Sequence, residues 1–340
     1  MTAMAQCGRI IWPHRPEKVA ICNHSIFAEL IRDFIAYKRA AGYKYETEAV
    51  YLKTFDDLCF SLNIDSPKFT KELMDKWCEK KPYESARSCH QQRISCIRQF
   101  ALFLISSGYE AYIPVNLEYI RQRKSKYSAY IFTHEEMKRI FEASNKIYPN
   151  RRSTMHLVMP VLIRLLYCTG LRVMEALNVQ LKHMDLIEGT ILIVSAKFNK
   201  DRLIPVSESM LSILKEYCNI MHPFYKPEDY LFIGITREPC SHHNVYLRFR
   251  EILVTAGIKH AGRGYGPRIH DIRHTHCCHV LQKASQNGDD LSNMLPALSV
   301  YMGHESLIAT SQYLKMTAEI YPEILKAVEE TCSYAIPKVQ

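Results

Sequence analysis

From residue 25 onward the chain alternates between apolar stripes at three- and four-residue spacing and short polar breaks. Phe27, Leu30, Ile31, Phe34 and Ile35 mark one face of a first helix, with Ser25 placed to cap it and Gly42 to end it. Tyr51, Phe55, Leu58, Cys59 and Leu62 line a second, and a short third runs from Thr70 to Lys80, after Pro67. A fourth, from Ser85 to Ser107, turns Ala86, Cys89, Ile97, Phe100, Ala101 and Leu104 inward, while Arg87, Gln91 and Arg98 share another face. Together these predict a small all-α domain over residues 21–110, preceded by an arm of little periodicity at 1–20.

The helical pattern breaks over 111–130, where Pro114 is followed by Arg121, Arg123, Lys124 and Lys126, a basic linker between two domains. The second domain, 131–340, opens with a capping box in which Thr133 is the N-cap and Glu136 stands three residues on. A long apolar helix covers Met155 to Cys168 and stops at Thr169-Gly170, and Leu171 to Leu177 starts another short one. Between Thr190 and Val206 the period becomes two. Ile191 to Val194 and Arg202 to Val206 flank the polar turn Ala196 to Asp201, which predicts a β-hairpin. Helices resume at Ser207 to Met221 and at His242 to Ala256, and Gly262, Gly264, Gly266 and Pro267 make a flexible approach to His270. The fold class expected is mainly α with a small antiparallel β-hairpin or sheet in the second domain.

Composition narrows the partners. Lys and Arg outnumber Asp and Glu by 44 to 35, a net charge of +9. The basic and acidic counts are 20 and 14 over 1–130, and 24 and 21 over 131–340, so the front of the chain carries more of the excess. Such a balance favours polyanions such as nucleic acid. No stretch reads as a signal peptide, and the most apolar run, Leu157 to Tyr167, is broken by Pro160 and Arg164, so no membrane role is expected. A cytoplasmic, nucleoid-associated protein is expected, its twelve cysteines, none spaced Cys-x-x-Cys, reduced and mostly buried.

The polar residues that an apolar core does not need gather late in the chain: His270-x-x-Arg273-His274, Gly303-His304 and Tyr313. With Thr169-Gly170-Leu171-Arg172-x-x-Glu175 upstream, and Lys197 in the hairpin turn, this ordered set closely resembles the tyrosine recombinase, or phage integrase, family. The resemblance runs from about residue 21 onward. It implies a two-domain clamp on double-stranded DNA whose front domain and linker bind DNA, through candidates Arg87, Gln91, Arg98, Arg121, Arg123, Lys124 and Lys126. It implies that Arg172, Arg273, His270 and His304 surround the scissile phosphate, with Glu175 in support. Tyr313 would be the nucleophile, forming a 3′-phosphotyrosyl bond, and Lys197 the general acid for the 5′-oxygen. The enzyme would act as a homo-tetramer on paired DNA sites, through a Holliday junction, with accessory recombination factors and no cofactor or metal. A transposon or integrative-element integrase is the favoured role.

Other readings stay open at this point. Lys200 lies in the same turn as Lys197, and His270 with His274 has the i, i+4 spacing of a zinc pair, although no second ligand pair accompanies it. A type IB topoisomerase-like relaxase would use the same chemistry, and a catalytically silent DNA-binding protein would keep only the fold. His276, Cys277, Cys278 and His279 read as packing or surface positions. Arg273 and His304 are 31 positions apart (304 − 273), longer than the family's usual interval, so Ser285 to Met294 reads as an inserted loop. After Tyr313 an amphipathic stretch places Ile320, Ile324, Leu325 and Val328 on one face.

Overall fold

The computed structural model describes residues 24–81, 87–114, 129–194, 201–260, 262 and 266–303. The chain divides into two compact units, residues 1–124 and 125–340.

In the first unit α1 (Ala28–Ala40), α2 (Glu46–Ser61), α3 (Lys71–Cys78) and α4 (Arg87–Ser106) surround an aromatic core of Phe27, Phe34, Phe55, Phe69, Trp77 and Phe100. Ring centroids in this core lie 5.1–5.8 Å apart, the range in which tilted and edge-on pairs attract. Ser25 does not cap α1. Phe27 occupies the N-cap position, and the Ser25 hydroxyl is spent on the buried carboxylate of Asp56 in α2. Asp56 also accepts from the backbone N–H groups of His24 (2.6 Å) and Ser25 (3.2 Å), so α2 fixes where α1 begins. Thr70 caps α3, and Gly42, at φ +88°, ends α1 as the pattern required.

Cys89, expected inside, is exposed, because the buried stripe of α4 starts a turn later at Arg93. That arginine is only 2% exposed. Its guanidinium lies over the Trp77 ring and donates to the carbonyls of Trp77 and Glu79, while His90 bonds the Cys78 carbonyl at 2.7 Å. Two polar side chains of α4 thus satisfy the open carbonyls at the end of α3.

The second unit is organised around α6 (Met155–Thr169), whose apolar residues are buried on most sides. Around it stand α5 (His134–Asn145), the short α7 (Val173–Leu177), α8 (Glu208–Met221), α9 (His242–Thr255) and α10 (Asp271–Asn287). The capping box of Thr133 and Glu136 is present, and Ser207 and Ser241 cap α8 and α9. The hairpin forms as expected between β2 (Thr190–Ile193) and β3 (Arg202–Pro205), with Ile191 opposite Ile204 and Leu192 opposite Leu203. A further strand, β1 (Met184–Asp185), pairs antiparallel with β2, so the sheet has the order β1-β2-β3.

The expected loop at Ser285 to Met294 is mostly helix. α10 continues to Asn287, Gly288 closes it at φ +79°, and α11 (Leu291–Met302) follows after only two more residues. Burial decides this: Leu291, Leu298 and Met302 pack on Cys277, Cys278, Leu281 and Ala284 of α10. His276 and His279 are buried in the same region, which makes all four positions 276–279 packing positions. The nine described cysteines carry free thiols, five of them buried. Among the described residues no helix is long and apolar enough to cross a membrane.

Candidate active site

The site begins where α6 ends. Gly170 turns the chain at φ +61°, and Arg172 follows in extended backbone as the N-cap residue of α7. Glu175, in the first turn of α7, reaches back to accept from the Arg172 backbone N–H at 2.9 Å and from its Nη1 at 2.6 Å. The Arg172 Nη2 donates to the Gly303 carbonyl at 3.2 Å. Arg273, in the first turn of α10, is 3% exposed and donates from Nη1 to the Gly170 carbonyl at 2.7 Å and from Nη2 to the Met302 carbonyl at 2.6 Å. Both guanidinium groups therefore hold the Met302–Gly303 turn, and the next residue in the chain is His304.

One residue escaped the sequence reading. Arg202, the first residue of β3, donates to both oxygens of Glu175, at 3.2 and 2.6 Å, with its side chain only 12% exposed. A signal was present, because strand alternation puts Arg202 on the same face as the buried Ile204, where a charge needs a partner. The anchoring carbonyls of Gly170, Met302 and Gly303 carry no such signal.

Burial alone would raise the Glu175 pKa, but the hydrogen bonds from Arg202 and Arg172 outweigh it and bring the carboxyl down to about 2. A carboxylate held this low stabilises the fold fully above its unfolded value near 4.5, and loses that contribution as pH falls toward 2. Glu175→Gln should accordingly lower stability at pH 7 by on the order of 2 kcal/mol. Thermal melts at pH 7 and pH 3 test this: the gap between variant and wild type should narrow at the lower pH, and a gap that stayed constant would deny the carboxylate its role.

His270 directly precedes α10, its ring 5.1 Å from that of His274 and perpendicular to it. It keeps an exposed edge, yet partial loss of hydration, and then the cations of Arg273, Arg172 and Arg268, push its pKa below the ordinary histidine value. A pKa pushed down favours the neutral imidazole, the form that can accept a proton. Among the described residues no group of three His, Cys, Asp or Glu side chains could hold a metal ion.

The described structure thus brings Arg172, Glu175, His270 and Arg273 together from two separate stretches of chain, with Arg202 added from a third. Lys197, Lys200, His304 and Tyr313 lie outside the described residues, as do Arg121, Arg123, Lys124, Lys126, the arm at 1–20 and the segment with Ile320 to Val328. Arg87 is the first residue of α4, and its side chain is also outside the description. Gln91 is half-buried, and Arg98 is exposed, donating to the Pro114 carbonyl at 3.3 Å. Two fixed cations around one turn, with the His270 imidazole close enough to feel both, suit a group that gains negative charge during reaction, such as a phosphodiester under attack.

Comparison with known proteins bears on which chemistry this is. The model of the Phage integrase family matches residues 131–319. The chain is 26% identical over 313 residues to a putative integrase/recombinase, y4rB, of Sinorhizobium fredii, covering 90% of this chain and 98% of that protein. It is 29% identical over 266 residues to the tyrosine recombinase XerD of Chlorobaculum tepidum, covering 77% and 79%. Among solved structures, XerH site-specific recombinase bound to a palindromic difH substrate aligns at a TM-score of 0.58, with 19% identity over 85% of this chain and 79% of that one. The Tn1549 transposon integrase in complex with a circular intermediate DNA also aligns at 0.58, with 15% identity over 84% and 93%. These two likenesses are of fold. The family match covers more than half of the chain, and the chain belongs to the phage integrase family of tyrosine recombinases, enzymes that break and rejoin DNA strands.

Proposed function

We propose that this chain is a site-specific recombinase that cleaves and rejoins double-stranded DNA through a 3′-phosphotyrosyl intermediate. The observation that carries the reading is the convergence of Arg172 and Arg273 on the Met302–Gly303 turn, which leads directly to His304. Tyr313 is the nucleophile in this reading. Its Oη attacks the scissile phosphorus, the bond from phosphorus to the 5′-oxygen breaks, and Lys197 gives that oxygen its proton. His270 is suited to take the proton from Tyr313, and Arg172, Arg273 and His304 meet the charge that builds on the non-bridging oxygens. Because the ester is kept in the intermediate, a 5′-hydroxyl from a second duplex can reverse the step without an external energy source.

Strand exchange then needs two paired sites, four protomers and a Holliday junction. Residues 21–110 and the basic stretch 111–130 would bind the duplex, with Arg87, Gln91, Arg98, Arg121, Arg123, Lys124 and Lys126 as candidate contacts, and accessory factors would set direction. Integration or excision of a mobile element is the favoured role, supported by the end-to-end match to a protein named integrase/recombinase.

A duplex nicked just 3′ of the scissile phosphate tests the chemistry, since loss of the short 5′-hydroxyl fragment traps the cleaved state. Wild type should become covalently attached to the 3′ end, with the phosphate on Tyr313, and Tyr313→Phe should bind the duplex yet form no adduct. An adduct formed by Tyr313→Phe would assign the nucleophile elsewhere.

A further inference from the structure

Glu175 poses an electrostatic problem for strand cleavage. Its carboxylate is 2.6 Å from Arg172 Nη1. An isolated pair of that kind is neutral and offers little field to an incoming phosphate. Arg202 changes the balance: two guanidinium groups around one carboxylate leave a net charge of +1.

The geometry also divides the work between the two arginines. Arg202 meets Glu175 with both Nη atoms, one to each oxygen, as a fork does. Arg172 gives the carboxylate its backbone N–H and only one Nη, and sends the other to the Gly303 carbonyl. The Arg202 side chain is 12% exposed and that of Arg172 is 28% exposed. The buried cation is thus paired with the carboxylate, and the more open one stands where a phosphate could reach it. Arg202 also lies against the Met302–Gly303 turn, since a Cβ on Gly303 would stand 3.2 Å from its Nη1.

We infer that Arg202 is a positioning residue for strand cleavage, one that offsets the charge of Glu175 so that Arg172 keeps its cation for the scissile phosphate. The inference rests on the recombinase reading above. It extends the site to a residue that acts on the phosphate through Glu175.

The test is single-turnover formation of the covalent adduct on the nicked duplex, with enzyme saturating. Arg202→Met should bind DNA within a few-fold of wild type and form adduct roughly 100-fold more slowly, the scale of a lost preorganised charge interaction. On a duplex whose scissile phosphate is replaced by an uncharged methylphosphonate the defect should shrink, because less charge has to be met. Adding Glu175→Gln to Arg202→Met should recover much of the rate, because no carboxylate is left to offset. Arg202→Lys loses the two-pronged contact but keeps the charge that offsets Glu175, which is what the inference requires, and should stay within about tenfold of wild type.

A slowing equal on both substrates, with no recovery in the double variant, would make Arg202 a purely structural residue and overturn the inference. Arg202→Lys as slow as Arg202→Met, while melting like wild type, would do the same even if Arg202→Met fails to fold. If wild type forms no adduct the recombinase reading falls and takes this inference with it. If wild type forms adduct and Arg202→Met keeps pace, only the inference falls.

Discussion

Arg273→Lys will keep its affinity for DNA and lose strand cleavage by roughly a thousandfold, about 4 kcal/mol of barrier. Arg273 is 3% exposed and spans two carbonyls, Gly170 at the end of α6 and Met302 at the end of α11, which are 132 positions apart in sequence (302 − 170). A guanidinium can bridge them because its two Nη atoms are held at a fixed spacing in one plane; a lysine carries all its donors on one nitrogen at the end of a flexible stem and cannot reproduce that spacing. The charge survives the exchange, but its aim does not. Each hydrogen bond to a charged donor is worth ~1.5–3 kcal/mol, so the variant also loosens the joint between α6 and α11. Gel-shift binding measured beside adduct formation separates the two effects. Cleavage within tenfold of wild type would mean that the carbonyl anchors do not set the arginine's geometry.

Gly170→Ala is expected to cost about 3 kcal/mol of stability and to slow cleavage with it. At φ +61° an L-residue already pays roughly 1 kcal/mol. The added Cβ would then stand 2.6 Å from His276 Cδ2 and 2.8 Å from Met302 Sδ. His276 cannot swing aside easily, because its Nδ1 bonds the Tyr167 carbonyl at 2.7 Å and its ring stacks on Tyr301. Nor is Met302 free to retreat, since its carbonyl is held by Arg273. Urea unfolding should show the loss, and a change below about 1 kcal/mol would mean that α10 and α11 adjust more readily than this packing implies.

Much of the second unit was legible because its signals are local. The capping box at Thr133, the glycine stop at 170 and the two four-residue strands each depend on neighbours a few positions away. Likewise, Arg172, Glu175, His270 and Arg273 could be picked out by motif and order. What escaped depends on distant partners. Arg202 meets Glu175 across 27 positions, and nothing around Arg202 names that carboxylate. Arg93 was passed over for a related reason: an arginine enters a core only when specific carbonyls and a ring await it, here those of α3. The long interval from Arg273 to His304 argued for an inserted loop at Ser285 to Met294, and the packing of Leu291, Leu298 and Met302 on α10 overruled it. Two-residue β1 is too short to leave a periodic trace.

The short connection between α10 and α11 has a consequence for how this protein can change length. Residues 288–290 are exposed, and material added there would loop into solvent while both helices kept their phase. A single residue added inside α11 is another matter, because it would rotate everything after it by about 100°. The Met302 carbonyl would then face away from Arg273, and the Gly303 carbonyl away from Arg172. Lineages descended from this sequence are free to vary the three-residue joint, whereas the twelve positions of α11 are locked in register with the two arginines they feed.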